Sequence, residues 1–280
     1  MPLVPTRQIV DTARTRGVGA CAFNVITLEH AEAIVAGAEA AVRPVILQIS
    51  ENAVKFHRGN VFPVAAAAAA VAAAASVPVS LHLDHVEDVD LLHRAAAAGF
   101  SSAMFDASKL EFAANVRATG QAAAWAHDNG LWLEAELGEV GGKDGAHALG
   151  VRTDPAEAAH YVGETGVDGL AVAVGSSHAM TARTAQLDHQ LITELRDAVP
   201  LVLHGSSGVA DDELGRAVGH GIVKINIGTI LNVAFTRAVR DQLAADEAAV
   251  DPRGYLSLAR AEIAAVVSRL VAALESPAAD

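Results

Sequence analysis

Eight short apolar runs, with alanine-rich segments between them, constrain the fold of this chain more than any other feature. They cover residues 19–24, 44–50, 79–84, 102–106, 131–137, 169–175, 201–204 and 223–227. Continuous apolar runs of this length suit strands buried on both faces of a parallel sheet, and most intervening segments are long enough for crossover helices. Each run also closes on a polar side chain: Asn24, Ser50, Asp84, Asp106, Glu136, His178, His204 and Asn226 lie at or just past successive C-terminal ends. In a closed barrel those ends meet on one face, where this fold builds its sites. A doubly wound sheet would more often carry a glycine-rich fingerprint after its first strand, and Cys21-Ala22-Phe23-Asn24 is not one. The pattern predicts an α/β protein, a single-domain (β/α)8 TIM barrel over residues 1–280, closed by an amphipathic helix after Leu258.

Composition narrows the partners. A net charge of -13 without any basic stripe argues against nucleic acid. The alanine-rich tract from Val64 to Ala75 is bounded by Pro63 and Pro78 and is too short for a spanning helix, which needs roughly 20 apolar residues. It reads as a helix of a soluble protein without membrane contact. Met1 to Pro5 is too short and proline-broken for a secretory segment. The single cysteine, Cys21, rules out an internal disulfide framework and fits a reducing, cytoplasmic setting.

Among the twelve histidines, His30, His57, His93, His127, His160, His189 and His220 read as surface or core residues. His85, His178 and His204 differ, because each stands at the end of an apolar run. Strand alternation puts residues 82 and 84 on one face and 83 and 85 on the other. His85 must therefore sit past its strand, where the chain turns, to share a site with Asp84; His82 becomes a supporting residue. Three neutral imidazoles leave an open zinc position for a substrate oxygen. Asp106 and Glu136 are the neighbouring carboxylates, suited to orienting the rings, to a second metal position, or to ion pairs. The small-residue loops Gly205-Ser206-Ser207-Gly208 and Asn226-Ile227-Gly228-Thr229 let backbone N–H groups approach an anion, at the position where barrels commonly hold a phosphate. Metal, carboxylate and phosphate site together suggest enolate chemistry on a phosphorylated ketone.

The motifs Ala22-Phe23-Asn24, His82-Leu83-Asp84-His85, Glu134-Ala135-Glu136-Leu137-Gly138, Gly175-Ser176-Ser177-His178, Leu203-His204-Gly205-Ser206-Ser207-Gly208, Lys224-Ile225-Asn226-Ile227-Gly228-Thr229 and Asp251-Pro252-Arg253-Gly254-Tyr255 occur in order over nearly the whole chain. In these the sequence resembles the class II, zinc-dependent ketose-bisphosphate aldolases, which act on fructose or tagatose 1,6-bisphosphate. The resemblance implies reversible aldol cleavage to dihydroxyacetone phosphate and an aldehyde such as glyceraldehyde 3-phosphate. It implies zinc on His85, His178 and His204, Asp106 and Glu136 at a second metal position, and Asp84 as acid/base on the C4 hydroxyl. Asn24, Ser50, Ala179, Gly205, Ser206, Ser207, Asn226, Ile227, Gly228 and Thr229 match substrate-contacting positions, and Arg260 matches a contact to the distal phosphate. The expected assembly is a homodimer or homotetramer.

Three positions depart from that pattern. Ala179 stands where glycine is usual, and Val86 where a polar or thiol side chain is common. In the loop Gly141-Gly142-Lys143-Asp144-Gly145, related enzymes often carry two consecutive acids; here Asp144 or His147 would supply the second proton transfer. The competing expectations are an aldolase for another phosphorylated ketose, a non-catalytic barrel subunit that binds sugar phosphate, and a phosphosugar isomerase or epimerase.

Overall fold

The computed structural model describes residues 2–137, 152–176 and 183–275. Their strands close a parallel barrel in chain order: β1 (Ala20–Asn24), β2 (Val45–Ser50), β3 (Val79–Val86), β4 (Ser102–Phe105), β5 (Trp132–Glu136), β6 (Gly169–Ala171), β7 (Leu201–Leu203) and β8 (Ile222–Ile227), with β8 pairing back onto β1. Around them, α1 (Thr6–Arg16) precedes β1, α2 (Leu28–Ala41) follows it, and α3 (Glu51–Phe56) and α4 (Val61–Ala74) follow β2. Then come α5 (Val89–Leu92), α6 (Phe112–Asp128), α7 (Pro155–Thr165), α8 (His189–Leu195), α9 (Asp211–His220), α10 (Thr229–Ala245) and α11 (Pro252–Ala273).

Strand alternation builds two cores. Leu47, Ile49, Leu81, Leu83, Leu133 and Ala135 point outward into the layer under the helices. Ala22, Ile46, Met104, Trp132, Ala171 and Val202 point inward and form an apolar floor, closed by Ile9, Val10 and Ala13 of α1. Above that floor the interior turns polar, with Gln48, His82, Glu134 and Lys224 all buried. That change along the barrel axis is what positions a site.

The alanine tract forms α4, capped by Asn60, whose side chain accepts from the Phe62 N–H, and it buries Val64, Ala65, Ala68 and Ala72 at helical spacing. Among the described residues no helix is long and apolar enough to cross a membrane. The last helix, α11, starts on the Asp251 cap and buries Ala259, Ile263, Val267, Leu270 and Val271. It lies so close to α2 that a Cβ on Gly37 would stand 2.5 Å from the Ala264 carbonyl oxygen. Gly37→Ala is therefore expected to destabilise the fold by ~1–3 kcal/mol, read as a lower urea midpoint at unchanged m-value.

Two strands differ from the sequence expectation. The run 169–175 is a strand only to Ala171. Val172 N–H still donates to Val202 O of β7 at 3.2 Å, and after it the backbone bonds to loops: Thr153 N–H donates to Ala173 O at 3.0 Å and Asp188 N–H to Val174 O at 2.8 Å. β3, by contrast, runs on to Val86, with a register shift against β4 between Leu83 and Val86.

Candidate active site

His85 does not lie past the strand, as alternation required; it lies within β3 at φ 49. A left-handed residue in the strand breaks the two-residue period, so Asp84 and His85 both face the barrel mouth. Such a conformation costs a non-glycine residue roughly 1–2 kcal/mol. Strain of this kind persists only where the surroundings enforce it, and it concentrates at functional sites.

Around this turn lies a cavity of about 640 Å³ at the C-terminal ends of the strands. β1 to β3 give it Asn24, Ser50, Asp84 and His85, and Asp106 follows β4. His204, Gly205, Ser206 and Ser207 follow β7, while Asn226, Gly228 and Thr229 come from the end of β8 and the start of α10. Glu136 is buried beside it at the end of β5, and its donor atoms group with those of His85 and Asp106. Ile227 is buried in β8 and does not line the cavity. Arg260 forms an ion pair with Glu32. His178, Ala179 and the loop with Lys143, Asp144 and His147 lie outside the described residues.

His85 Nε2 and His204 Nδ1 approach to 2.9 Å. His85 Nδ1 is 3.1 Å from Asp106 Oδ2, and Asp106 Oδ1 in turn accepts from the Ser108 N–H at 3.0 Å and the Ser108 hydroxyl at 2.6 Å. His204 Nε2 is 2.9 Å from Glu134 Oε1. Burial favours a neutral His85 ring, yet Asp84, Asp106 and Glu136 outweigh it and push the ring up to about 10. Burial raises Asp106 as well, but the His85 and Ser108 bonds hold it well below the usual carboxylate range. Desolvation raises Asp84 from its ordinary value, with His85 acting against it. The two imidazole nitrogens thus stand at hydrogen-bond distance from each other, with carboxylates around them.

The donor set fits a divalent ion. Asp84, His85 and His204 offer ligand atoms within 4.8 Å of one another, as do His85, Asp106 and Glu136. Each imidazole has its second nitrogen against a carboxylate, the arrangement that aims metal-binding histidines.

The opposite wall suits an anion. α10 starts at Thr229 directly after Gly228, and both residues line the cavity, which puts the positive end of the helix dipole at this wall. Ser207 Oγ accepts from the Ile230 N–H at 3.1 Å, and the Ser206 hydroxyl donates to the Asn226 carbonyl oxygen. Gly228 is tight: a Cβ there would stand 2.8 Å from Asn24 Oδ1, the atom that accepts from Gln48 Nε2 at 2.8 Å.

Sequence reasoning alone passes over two carboxylates here. Glu51 Oε2 accepts from the backbone N–H groups of Glu87 at 2.7 Å and Asp88 at 3.1 Å, which holds the chain leaving β3. Glu134 lies deeper, against His204 and Lys224. A signal for Glu134 is available: it stands two residues before Glu136, so both point into the barrel.

Fold and site together define a barrel enzyme with a metal-type centre beside an anion site. The family model for fructose-bisphosphate aldolase class-II matches residues 4–278. The chain is 38% identical over 272 residues to a fructose-bisphosphate aldolase of Geobacillus stearothermophilus, covering 95% of each. It is 36% identical over 268 residues to one of Staphylococcus aureus (strain Mu50 / ATCC 700699), covering 94% of each. Among solved structures, the YdjI aldolase from Escherichia coli K12 superposes with a TM-score of 0.84 at 31% identity, covering 98% of both chains. A putative fructose-1,6-biphosphate aldolase from Coccidioides immitis gives 0.85 at 28%, covering 97% of this chain and 96% of that one. The chain belongs to the class II fructose-bisphosphate aldolase family, whose members are carbon–carbon lyases and generally metal-dependent.

Proposed function

We propose that this protein catalyses the reversible aldol cleavage of a ketose 1,6-bisphosphate to dihydroxyacetone phosphate and an aldehyde such as glyceraldehyde 3-phosphate. The observation that carries the reading is one cavity holding Asp84, the facing imidazoles of His85 and His204, and the N-terminus of α10. Zinc held by His85, His204 and, from the motif, His178 supplies Lewis-acid stabilisation of the charge that develops on the substrate. Asp106 and Glu136 stand where a second metal position would be. Gly205 to Ser207 and Gly228 to Thr229 bind the phosphate of the dihydroxyacetone portion, with Asn24, Ser50 and Asn226 along the substrate.

In cleavage, Asp84 takes the proton of the C4 hydroxyl as the C4 carbonyl forms. The C3–C4 bond breaks and its electron pair passes to C3, leaving an enediolate. A second acid from the 141–147 loop protonates C3, and condensation reverses each transfer.

Chelation is expected to abolish cleavage of fructose 1,6-bisphosphate and added zinc to restore it. Borohydride with substrate is expected to trap nothing at Lys224, which is buried and bonded to Glu134 and Asn226. Activity that survives chelation and is trapped at a lysine sinks the reading. Products with the carbon count of the substrate would instead assign an isomerase or epimerase.

One observation favours a different phosphorylated ketose as a second reading. Among the described residues lining the cavity, Lys55 is the only lysine or arginine, and it pairs with Glu51 at 2.7 Å. A panel of ketose mono- and bisphosphates separates the two, because a bisphosphate enzyme loses kcat/KM when the distal phosphate is removed.

A further inference from the structure

Beneath the cavity the barrel holds a charge pair for which the proposed chemistry has no task. Lys224 of β8 and Glu134 of β5 are wholly buried, with Nζ 2.7 Å from Oε2. Two ions taken out of water are a poor route to stability, since an apolar pair of similar volume is often as good. What sets this pair apart is its third member. The other carboxylate oxygen, Glu134 Oε1, faces His204 Nε2 at 2.9 Å.

The protons can be assigned from the partners. Lysine has donors only, so Glu134 meets it as a carboxylate, and Asn226 turns its Oδ1 to the same ammonium at 2.7 Å. That leaves Asn226 Nδ2 3.0 Å from His204 Nε2. One ring nitrogen cannot accept from Asn226 and donate to Glu134 at once, and the bond to the charged acceptor is the stronger. His204 therefore carries its proton on Nε2. Its lone pair is on Nδ1, the nitrogen 2.9 Å from His85 Nε2.

We infer that Glu134, paired with Lys224, is a positioning residue that fixes the tautomer and ring orientation of His204 and so presents Nδ1 to the metal ion. The inference deepens the proposed function and rests on its assignment of His204 as a ligand. Lys224 serves by neutralising Glu134, which explains why a strand lysine points into the barrel without reaching substrate.

The test compares a single and a double variant of the full chain, with zinc affinity read by competition against a chromophoric chelator. The absorption spectrum of the cobalt-substituted protein and urea unfolding are recorded beside it. Glu134→Gln keeps the volume and removes the charged acceptor; zinc affinity is expected to fall about 10- to 100-fold and the cobalt bands to shift. That variant leaves Lys224 unpaired and loses stability for this reason alone. The double variant Glu134→Gln/Lys224→Met has no unpaired ion, so it is expected to regain stability while its zinc affinity stays low. Wild-type affinity and spectrum in the double variant overturn the inference, because the pair then only fills the barrel. His204→Ala separates the ligand assignment from the positioning role. Full zinc affinity in that variant overturns the ligand assignment and the inference with it. A loss supports the ligand assignment, and the Glu134 variants then decide the positioning role.

Discussion

Asp84→Asn is expected to lower the rate of aldol cleavage by about 10³- to 10⁴-fold, the upper part of the range for a general acid–base group. That corresponds to ~4–5 kcal/mol of lost transition-state stabilisation. The residue ends the inward-facing series of β3 and pairs in register with Ser50. Its carboxyl is buried, and Oδ1 has no hydrogen-bond partner among the described residues. A proton acceptor for a substrate hydroxyl needs a carboxyl group at the cavity wall, and Asp84 lines it. Burial also raises its pKa towards the range where one group both takes and returns a proton. The amide keeps the shape and removes the proton chemistry. Steady-state kinetics and elemental analysis of the same sample decide the role, because Asp84 also belongs to a group able to hold an ion. Unchanged turnover sinks the acid/base assignment. Loss of the ion together with the rate would make Asp84 a ligand instead.

His204→Ala should remove both the ion and the activity. Its ring is fully buried and meets three neighbours: His85 through Nδ1, and Glu134 and Asn226 at Nε2. Deleting it takes away one of the two facing nitrogens. It also strands polar groups in the barrel, a further cost of about 1–3 kcal/mol. Metal per chain is expected to fall towards zero and cleavage to background, with a lower unfolding midpoint. His127→Ala is the matched control, since His127 bonds Asp168 on the surface far from the cavity lining. That variant should keep both metal and rate. A His204→Ala protein with full metal content and turnover would remove the imidazole pair from the proposed mechanism.

The barrel is legible in the sequence because parallel strands covered on both sides demand continuous apolar runs, and all eight are present. Strand ends are less so. Nothing local in 169–175 says that Ala173 and Val174 bond to loops rather than to β7, because that depends on where residues 153 and 188 arrive. Alternation places Asp84 and His85 in one site but for the wrong reason. It requires the strand to have ended, whereas a left-handed His85 inside β3 turns the side chain inward. The residue types give only a weak signal of that twist: histidine is among the non-glycine residues enriched at positive φ, yet few histidines adopt it. Position in sequence puts Lys224 beside the phosphate loop, yet its buried side chain bonds Glu134 of β5 across the barrel interior. Partners separated by ninety residues become visible only when the strands close.

The facing imidazoles come from β3 and β7, on opposite sides of a barrel that pairs its strands strictly in order. Asp84, His85 and Asp106 belong to the first four strands and the turn after them; Glu134, Glu136, His204 and Asn226 belong to the last four and the turn after β7. Neither half of the molecule owns a usable centre. Chemistry is thereby tied to closure, because any loosening between the halves would part the two rings.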